Sequence, residues 1–206
     1  EKIISGFRIS KIPGYEKRKF LETEEPTADT GIRWLELIYE AILLKKTKEI
    51  TYRRFNSTDN KMHVLSPYVI REYRNRWYVT GYSELADDVL TLALDRVIDV
   101  KDSADTFHAT DFDEHSYFKY AFGVTTYNGI QPSTVQLLFN DEQRGYISSK
   151  PLHDSQKIIV DERGFLVELE CYLTPELEMA ILSYGEKVKV LGPVELSAAR
   201  IALVRP

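Results

Sequence analysis

Arginines and aromatic side chains are concentrated in one stretch of the chain, from Arg71 to Tyr82. The planar guanidinium of arginine matches a phosphate group, and an aromatic face can stack on a nucleobase. Within the stretch, Arg74, Asn75 and Arg76 have the composition of a tight turn, because asparagine tolerates left-handed backbone angles. The pattern is therefore typical of a surface that binds phosphates or bases. It is also typical of an ordinary half-exposed strand.

Side chains beyond this turn must alternate between the two faces of a strand. One face would carry Arg76, Tyr78, Thr80 and Tyr82, and the other would carry Trp77, Val79 and Gly81. We interpret Trp77 as an anchor in the core, since it shares the apolar face, and Tyr78 as a candidate ligand contact. Arg74 and Arg76 flank the turn and are expected to attract a ligand electrostatically more than to contact it directly.

The charge of the chain is unevenly distributed. Its net value of -5 argues against a surface that coats nucleic acid nonspecifically. However, the window from Tyr52 to Arg76 holds six basic and two acidic residues, a local charge of +4 that leaves -9 for the remainder. A basic patch on an acidic body suits a site for one defined anion.

Further arginines lie outside the opening stretch. The first predicted strand carries Tyr52 and Arg54 on one face and Arg53 and Phe55 on the other. Because of this alternation, Arg53 and Arg54 should not both line one site. Arg71 lies near the end of the second predicted strand, and Arg96 lies at a bend between later strands. In an alternative interpretation these arginines are surface charges, with Arg96 paired to an acidic neighbour such as Asp95.

The sequence lacks the signatures of catalysis and metal binding. Its four histidines show no metal-ligand spacing, and it contains no phosphate-binding loop, dinucleotide fingerprint or nucleophile elbow. We therefore expect no metal, no cofactor and no enzymatic activity. The single cysteine, Cys171, lies on the apolar face of a predicted strand, where a buried structural thiol is expected. A lone cysteine favours a reducing, cytoplasmic compartment, and no apolar run approaches the roughly 20 residues that span a bilayer.

Two predicted units must position these residues. Residues 1–48 are interpreted as a linker followed by a helix, whose apolar residues recur at helical spacing. From residue 49 to 107 the period changes to two, and five short strands joined by turns predict a small, strongly curved β-barrel of the SH3 or Sm type. Closure of the barrel would hide the sheet edges.

A predicted connector over residues 108–131 leads to the second unit, residues 132–206. Its elements follow the order β, α, β, β, α, β, α, and its clearest helix has Thr174 as a cap and Pro175 in the first position. This order predicts a ferredoxin-like domain with an additional terminal helix. The chain as a whole is therefore predicted to be α+β.

Several short motifs, in this order and spacing, resemble one known family. They are Pro67-Tyr68, Asn75-Arg-Trp-Tyr-Val79, Leu94-Asp-Arg-Val97, Pro151-Leu-His-Asp-Ser-Gln156, Leu182-Ser-Tyr-Gly-Glu186 and Val190-Leu-Gly-Pro193. The first three resemble the WYL domain, which is named for a Trp-Tyr-Leu tripeptide whose third residue is Val79 here. The last three resemble the WCX extension that commonly follows it. The resemblance covers the chain from about residue 31 to its end.

The resemblance implies the effector-sensing part of a bacterial transcription regulator. In this family the WYL domain is a small Sm-like barrel whose basic pocket binds a nucleic-acid-type ligand, single-stranded DNA in some members. WCX assists dimerisation. A helix-turn-helix domain that contacts promoter DNA normally precedes the WYL domain. This chain contains no such element and does not begin with Met, so we expect that domain upstream. A homodimer without membrane contact is expected.

Specific residues follow from the motifs and from local charge. The family's characteristic positions correspond to Tyr52, Arg71, Trp77, Tyr78 and Arg96, and local charge adds Arg53 and Arg76. All of these except Trp77 are expected to bind the ligand. Leu90 and Ala93 stand where the common form has arginines. A smaller ligand, or a longer ligand held less tightly, is therefore expected.

Three hypotheses remain open. The first is a sensing region that binds single-stranded nucleic acid or a nucleotide in the barrel and biases a two-state dimer. The second is an oligomerisation and spacer module whose arginines form salt bridges. The third is an enzyme that acts on nucleotides, for which the sequence offers no evident catalytic residues.

Overall fold

The computed structural model describes residues 31–161 and 164–196. That part of the chain contains two antiparallel sheets and four α-helices, which confirms the predicted α+β class. The predicted N-terminal linker and nearly all of the predicted last helix, residues 195–203, lie outside the described residues. Among the described helices, none is long and apolar enough to cross a membrane.

The first unit is a five-stranded sheet with one helix. Its elements are α1 (Leu35–Leu43), β1 (Lys48–Tyr52), β2 (Lys61–Tyr73), β3 (Arg76–Ser83), β4 (Asp88–Ala93) and β5 (Val97–Asp102). The strand order is β4-β3-β2-β1-β5, and every neighbouring pair is antiparallel. All five predicted strands are present. The predicted closure is wrong for the described strands, because a 3-10 turn, Leu94–Arg96, separates β4 from β5 and leaves them at opposite edges.

The hairpin between β2 and β3 follows the sequence prediction. Arg74 and Asn75 form its turn with φ angles of 49° and 60°, in the left-handed region that a two-residue hairpin turn requires. Farther along the hairpin, the register shifts after Pro67. A Cβ atom on Gly81 would stand 2.3 Å from the carbonyl oxygen of Ser66, so the close approach of the two strands requires glycine.

The core of the first unit lies between the sheet and α1. Its buried side chains are Ile38, Ile50, Tyr52, Leu65, Val79, Leu92, Leu94 and Val97. Trp77 is half-buried and packs against this cluster, in agreement with its predicted position beside Val79. The indole Nε1 of Trp34 donates a hydrogen bond to the Val97 carbonyl at 3.3 Å, which ties the start of the helix to β5.

The connector between the sheets, residues 103–132, contacts both units. It contains one helix, α2 (Glu114–Phe118). On the side of the first sheet, the His108 ring stacks on Tyr82 with centroids 3.8 Å apart. On the other side, the backbone N–H of Tyr172 donates to the Tyr120 carbonyl at 2.8 Å. The connector is therefore packed structure over much of its length.

The second unit is a four-stranded antiparallel sheet with two helices. Its elements are β6 (Ser133–Phe139), α3 (Arg144–Ser149), β7 (Lys157–Asp161), β8 (Gly164–Cys171), α4 (Pro175–Ser183) and β9 (Val188–Gly192). The strand order is β7-β8-β6-β9. The Thr174 hydroxyl caps α4 by accepting a hydrogen bond from the backbone N–H of Leu177, and Pro175 occupies the first turn, as predicted.

Cys171 is part of the core of the second unit, as predicted. Burial raises the pKa of its thiol to about 12. The thiol is therefore protonated at neutral pH, which suits a structural residue and not a nucleophile.

Candidate ligand-binding cleft

The segment after β1 brings two arginines and a phenylalanine together. β1 ends at Tyr52, and Arg53, Arg54 and Phe55 continue as a loop. The backbone N–H of Arg53 donates to the carbonyl of Arg96 at 3.2 Å, so the loop is fixed beside the 3-10 turn. The prediction that Arg53 and Arg54 cannot share a site is wrong. Strand alternation stops at Tyr52, and both arginines line the same cavity.

This cavity has a volume of about 640 Å³. Its charged and aromatic lining consists of Arg33, Arg53, Arg54, Phe55, Asp95 and Arg96. Four arginines and one aspartate give it a strongly positive potential. Phe55 is 66% exposed, which leaves much of its ring available as a stacking surface beside the arginines.

Asp95 helps to position the arginines of the 3-10 turn and the neighbouring hairpin. Its side chain is only 7% exposed, and its Oδ2 lies 3.2 Å from Nη1 of Arg76. Its Oδ1 lies 4.0 Å from Nε of Arg96. The Arg96 guanidinium also lies 4.4 Å from the ring centroid of Phe55. Arg96 is thus held between a carboxylate and an aromatic ring. Arg76 does not line the cavity, but it contacts Asp95 and its guanidinium lies 6.0 Å from the ring centroid of Phe55.

Two further cavities adjoin the first, and Arg96 lines all three. The second, of about 430 Å³, includes Tyr52, Arg54, Lys61 and His63 in its wall. The third, of about 330 Å³, includes Tyr52, Tyr78, Leu90, Ala93, Tyr117 and Glu176. The three cavities together are named the Arg96 cleft. The cleft is strongly cationic in its first cavity and rich in tyrosine in its third.

His63 is a buried member of the second cavity. Its Nδ1 lies 2.9 Å from Oγ of Ser83, and its ring meets Tyr52 edge-on with centroids 6.2 Å apart. Burial lowers the pKa of His63 below its ordinary value of 6.5, and the positive charges of Lys61 and Arg54 lower it further. The imidazole is therefore neutral at pH 7, and the charged side chains of this cavity are Arg54, Lys61, Arg96 and Asp59.

Arg71 lies opposite Tyr78 in the β2–β3 ladder but makes a different contact. Its guanidinium lies 4.4 Å from the ring centroid of Phe118 in α2. Burial lowers the pKa of Arg71, and the nearby charge of Asp154 in the second unit opposes this shift. Arg71 is not part of the lining of the three cavities. The structure therefore separates Arg71 from Arg96, although the sequence grouped them.

The cleft contains most, but not all, of the predicted ligand contacts. Four of them line it: Tyr52, Arg53, Tyr78 and Arg96. Arg76 contacts it through Asp95 and Phe55, and Arg71 lies at the connector. Ligand binding by these residues stays a prediction. Sequence reasoning missed Arg33, Arg54, Phe55 and Glu176. For Arg54 and Phe55 the sequence held a signal, because the polar run from Asn56 to Asn60 indicates that β1 ends early. For Arg33 and Glu176 it held no such signal, because they come from distant segments of the chain.

The side chains of the cleft carry groups that suit an anion joined to a planar ring. Its arginines can donate paired hydrogen bonds to an anion, and its phenylalanine and tyrosines can stack on a planar group. Burial raises the pKa of Tyr78 above its ordinary value of 10, so its hydroxyl is protonated at neutral pH and can donate a hydrogen bond. Within the described residues, no group of three or more His, Cys, Asp or Glu side chains could hold a metal ion.

A solved structure shows that this fold occurs in another protein. A CRISPR Cas-related protein is similar with a TM-score of 0.53 and 12% identity, over 82% of this chain and 48% of that one. Proteasome accessory factor B/C of Arthrobacter aurescens gives a TM-score of 0.38 and 16% identity, over 87% of this chain and 27% of that one. The chain therefore spans less than half the length of either protein. No curated protein matches its sequence.

Comparison with protein families matches two regions of the chain. The WYL domain matches residues 33–102, which include α1 and all five strands of the first sheet. The WCX domain matches residues 131–205, which include the second sheet with α3 and α4. These matches confirm the resemblance that the short motifs indicated. The chain therefore belongs to the family of WYL-domain proteins in which a WCX domain follows the WYL domain.

Proposed function

We propose that this chain is the effector-sensing region of a transcription regulator, and that the Arg96 cleft binds an anionic, nucleic-acid-type ligand. Single-stranded DNA, single-stranded RNA or a nucleotide would satisfy its chemistry. The observation that carries the proposal is the convergence of four arginines on one cavity beside the exposed ring of Phe55. Guanidinium groups suit the phosphates and the ring suits a base.

In this proposal, ligand binding changes the arrangement of a homodimer. That change controls a helix-turn-helix domain outside the described residues, which contacts promoter DNA. The family membership of the chain supports a regulatory role. The protein acts in the cytoplasm and catalyses no reaction.

The contacts of Arg96 favour ligand binding over a pure oligomerisation and spacer module. That alternative expects Arg71 and Arg96 each to be buried against a carboxylate. Instead, the Arg96 guanidinium lies 4.4 Å from the centroid of the exposed Phe55 ring, whereas Arg71 makes an internal contact with Phe118. The ion pair between Arg96 and Asp95 is long, at 4.0 Å. The charge of Arg96 is therefore only partly compensated within the protein.

The different linings of the cavities support a ligand larger than a simple phosphate ion. The first cavity is dominated by arginine and the third by tyrosine. A nucleotide carries a group suited to each, a phosphate and a base. A single strand of nucleic acid can continue along the same cleft.

We further propose that the first unit is Sm-like and the second ferredoxin-like. The strand order β7-β8-β6-β9 places the second, third, first and fourth strands of the second unit side by side. Helices α3 and α4 lie in the two crossovers. This arrangement supports the split βαβ topology of ferredoxin-like domains.

Fluorescence anisotropy with labelled single-stranded DNA and RNA tests the proposed function. We expect the protein to bind, with an affinity that falls as the salt concentration rises, because neutralised phosphates release counterions. Arg96→Ala removes a guanidinium that lines all three cavities. It should weaken binding at least about tenfold, or about 1.4 kcal/mol.

Arg144→Ala is the matched control, because Arg144 is an exposed arginine of α3 that pairs with Asp141 outside the cleft. Its variant should bind like the wild type. Binding that ignores Arg96→Ala, or that does not depend on salt, would contradict the proposal. Gel filtration with and without the oligonucleotide tests the dimer, and turnover of a nucleotide by the purified chain would favour the enzyme hypothesis.

A further inference from the structure

Three buried side-chain atoms lack a hydrogen-bond partner among the described residues, and all three belong to residues that line the Arg96 cleft. They are Oδ1 of Asp95, Nε of Arg96 and Oε2 of Glu176. Buried polar atoms are normally paired, and an unpaired one is commonly explained by a water or ligand that binds there. Oδ1 of Asp95 and Nε of Arg96 lie 4.0 Å apart as an ion pair, so Oε2 of Glu176 is the acceptor that points to a ligand with a hydrogen-bond donor.

Glu176 is the contribution of the second unit to this cleft. It lies in the first turn of α4, and the Thr125 hydroxyl of the connector donates to its Oε1 at 2.7 Å. Its aliphatic part packs on Gly123, where an added Cβ would stand 3.1 Å from Cγ of Glu176. The connector therefore fixes the orientation of the carboxylate through Oε1 and leaves Oε2 without a partner.

Glu176 and Arg96 line the same cavity, together with Tyr78 and Tyr117. Their charges act on Tyr78 in opposite directions, since Arg96 lowers and Glu176 raises the pKa of its hydroxyl. That hydroxyl is thus within electrostatic reach of both. The cavity combines one cation, one anion and aromatic rings in a volume of about 330 Å³. A phosphate is attracted to Arg96 and repelled by Glu176, so the base of a nucleotide is the part that suits Glu176.

We propose that Glu176 is a specificity-determining residue of the cleft, which accepts hydrogen bonds from the N–H groups of a ligand base and thereby selects guanine. Guanine presents a ring N–H and an amino group side by side, so both can donate to one carboxylate. Adenine, cytosine and thymine each present an acceptor next to a donor, which leaves a carboxylate oxygen facing a lone pair. Tyr78 and Tyr117 provide the rings beside the base, and Arg96 holds the phosphate.

This inference rests on the proposed function and adds the identity of the base that the cleft recognises. It also has a structural consequence. Arg96 belongs to the first unit and Glu176 to α4 of the second. One bound guanine nucleotide would therefore contact both units, and the ligand would favour the arrangement in which they lie as observed.

A competition experiment with single-stranded DNA tests the role of Glu176. A labelled oligothymidylate of about nine nucleotides, within the usual site size of single-strand-binding domains, serves as the probe. Unlabelled strands of the same length with one central guanine, adenine or cytosine serve as competitors. We expect the wild type to prefer the guanine strand about tenfold or more, which is typical of a paired hydrogen-bond contact to one base.

Glu176→Gln should reduce this preference to about twofold or less. The affinity for oligothymidylate should not fall, because the substitution removes a charge that repels phosphate. Glutamine keeps the shape of the side chain and an acceptor for Thr125. Glu176→Asp keeps the charge but shortens the reach, and it should lose the preference as well. Glu186→Gln, an exposed carboxylate outside the cleft, is the matched control and should keep the preference. A thermal unfolding curve for each variant reports that it is folded.

The outcomes separate this inference from the proposed function. Equal affinity of the wild type for all strands, or a guanine preference that persists in Glu176→Gln, overturns the role of Glu176. If Arg96→Ala weakens binding in the same experiment, the proposed function still stands. If no strand binds the wild type, both the role of Glu176 and the proposed function are contradicted.

Discussion

Two regions of the molecule place an arginine over a phenylalanine ring at the same distance, and only one of the two pairs is exposed to solvent. At the cleft, the Arg96 guanidinium lies 4.4 Å from the centroid of Phe55, whose side chain is 66% exposed. At the connector, Arg71 lies 4.4 Å from the centroid of Phe118, and both residues are half-buried. Residue type alone therefore does not distinguish a ligand site from an internal contact. What distinguishes them is whether the protein itself covers the pair.

The neighbourhoods of the two pairs differ accordingly. Around the connector, Phe122 stacks on His153 with centroids 6.3 Å apart, and the Thr174 hydroxyl donates to the Phe122 carbonyl at 3.2 Å. Around the cleft, the space beside Phe55 is the cavity of about 640 Å³. Substitutions in the filled region should therefore lower stability, whereas substitutions in the open region should lower ligand affinity.

Phe122→Ala should produce the largest effect in the filled region. Phe122 is 7% exposed and belongs to the core of the second unit. Its removal leaves a cavity, and the free energy of unfolding should fall by about 3–5 kcal/mol. Denaturant unfolding followed by circular dichroism measures this change. A loss below about 1 kcal/mol would show that the connector contributes little to stability, and the contrast between the two regions would fail.

Phe55→Ala is the corresponding change in the open region. Stability should change by no more than about 0.5 kcal/mol, because the ring is mostly exposed. The affinity for single-stranded DNA should fall by about 1–3 kcal/mol, since a stacking surface for a base is lost. Anisotropy titrations at several salt concentrations measure both affinity and its salt dependence. The salt dependence should stay as in the wild type, because no charge is removed; a changed slope would assign Phe55 a role in placing the arginines.

The sequence predicted most of the fold because its signals are local. Asn75 and its neighbours predicted the β2–β3 turn, and Thr174 with Pro175 predicted the start of α4. Closure of the first sheet was not predictable in the same way. It depends on whether β4 and β5 pair across the 3-10 turn at Leu94–Arg96, and strand patterning does not determine which strands pair.

The site was harder to predict, for two physical reasons. Side chains alternate between faces only within a strand. Because β1 ends at Tyr52, Arg53 and Arg54 do not alternate as predicted, and both line the same cavity. The other reason is distance along the chain. Glu176 lies 80 positions after Arg96, and only the packing of the connector brings both to one cavity. The family motif identified Arg96 as a candidate, but it carried no information on the carboxylate that lines the same cavity.

Arg71→Ala should have a smaller effect than the two phenylalanine substitutions. The contact with Phe118 is a cation–π pair in a partly desolvated place, and its loss should lower the free energy of unfolding by about 1 kcal/mol. The affinity for single-stranded DNA should fall less than in Arg96→Ala, because Arg71 does not line the three cavities. Denaturant unfolding and anisotropy on the same preparation measure the two effects. Equal losses of affinity in the two arginine variants would place Arg71 in the ligand site and break the comparison.

The smallest expected effect concerns the pH dependence of stability, to which one histidine in each region contributes. Burial lowers the pKa of His63 in the cleft and of His153 in the filled region below the ordinary 6.5. Well above pH 6.5 both are neutral whether the protein is folded or unfolded, so they add no pH dependence to stability there. As the pH falls from 6.5 through the lowered folded-state pKa values, the unfolded chain binds protons that the folded chain does not, and stability decreases.

His63→Gln should make this decrease shallower, because it removes one of the two histidines whose pKa burial lowers. Denaturant unfolding between about pH 7.5 and 5 measures the slope. A saturating single-stranded oligonucleotide should also make the decrease shallower in the wild type, because phosphates near Lys61 and Arg54 offset the charges that lower the pKa of His63. The oligonucleotide should not change the decrease in stability that remains in the His63→Gln variant, since His153 stacks on Phe122 away from the cleft. If the oligonucleotide acts equally on both proteins, the ligand does not reach the second cavity.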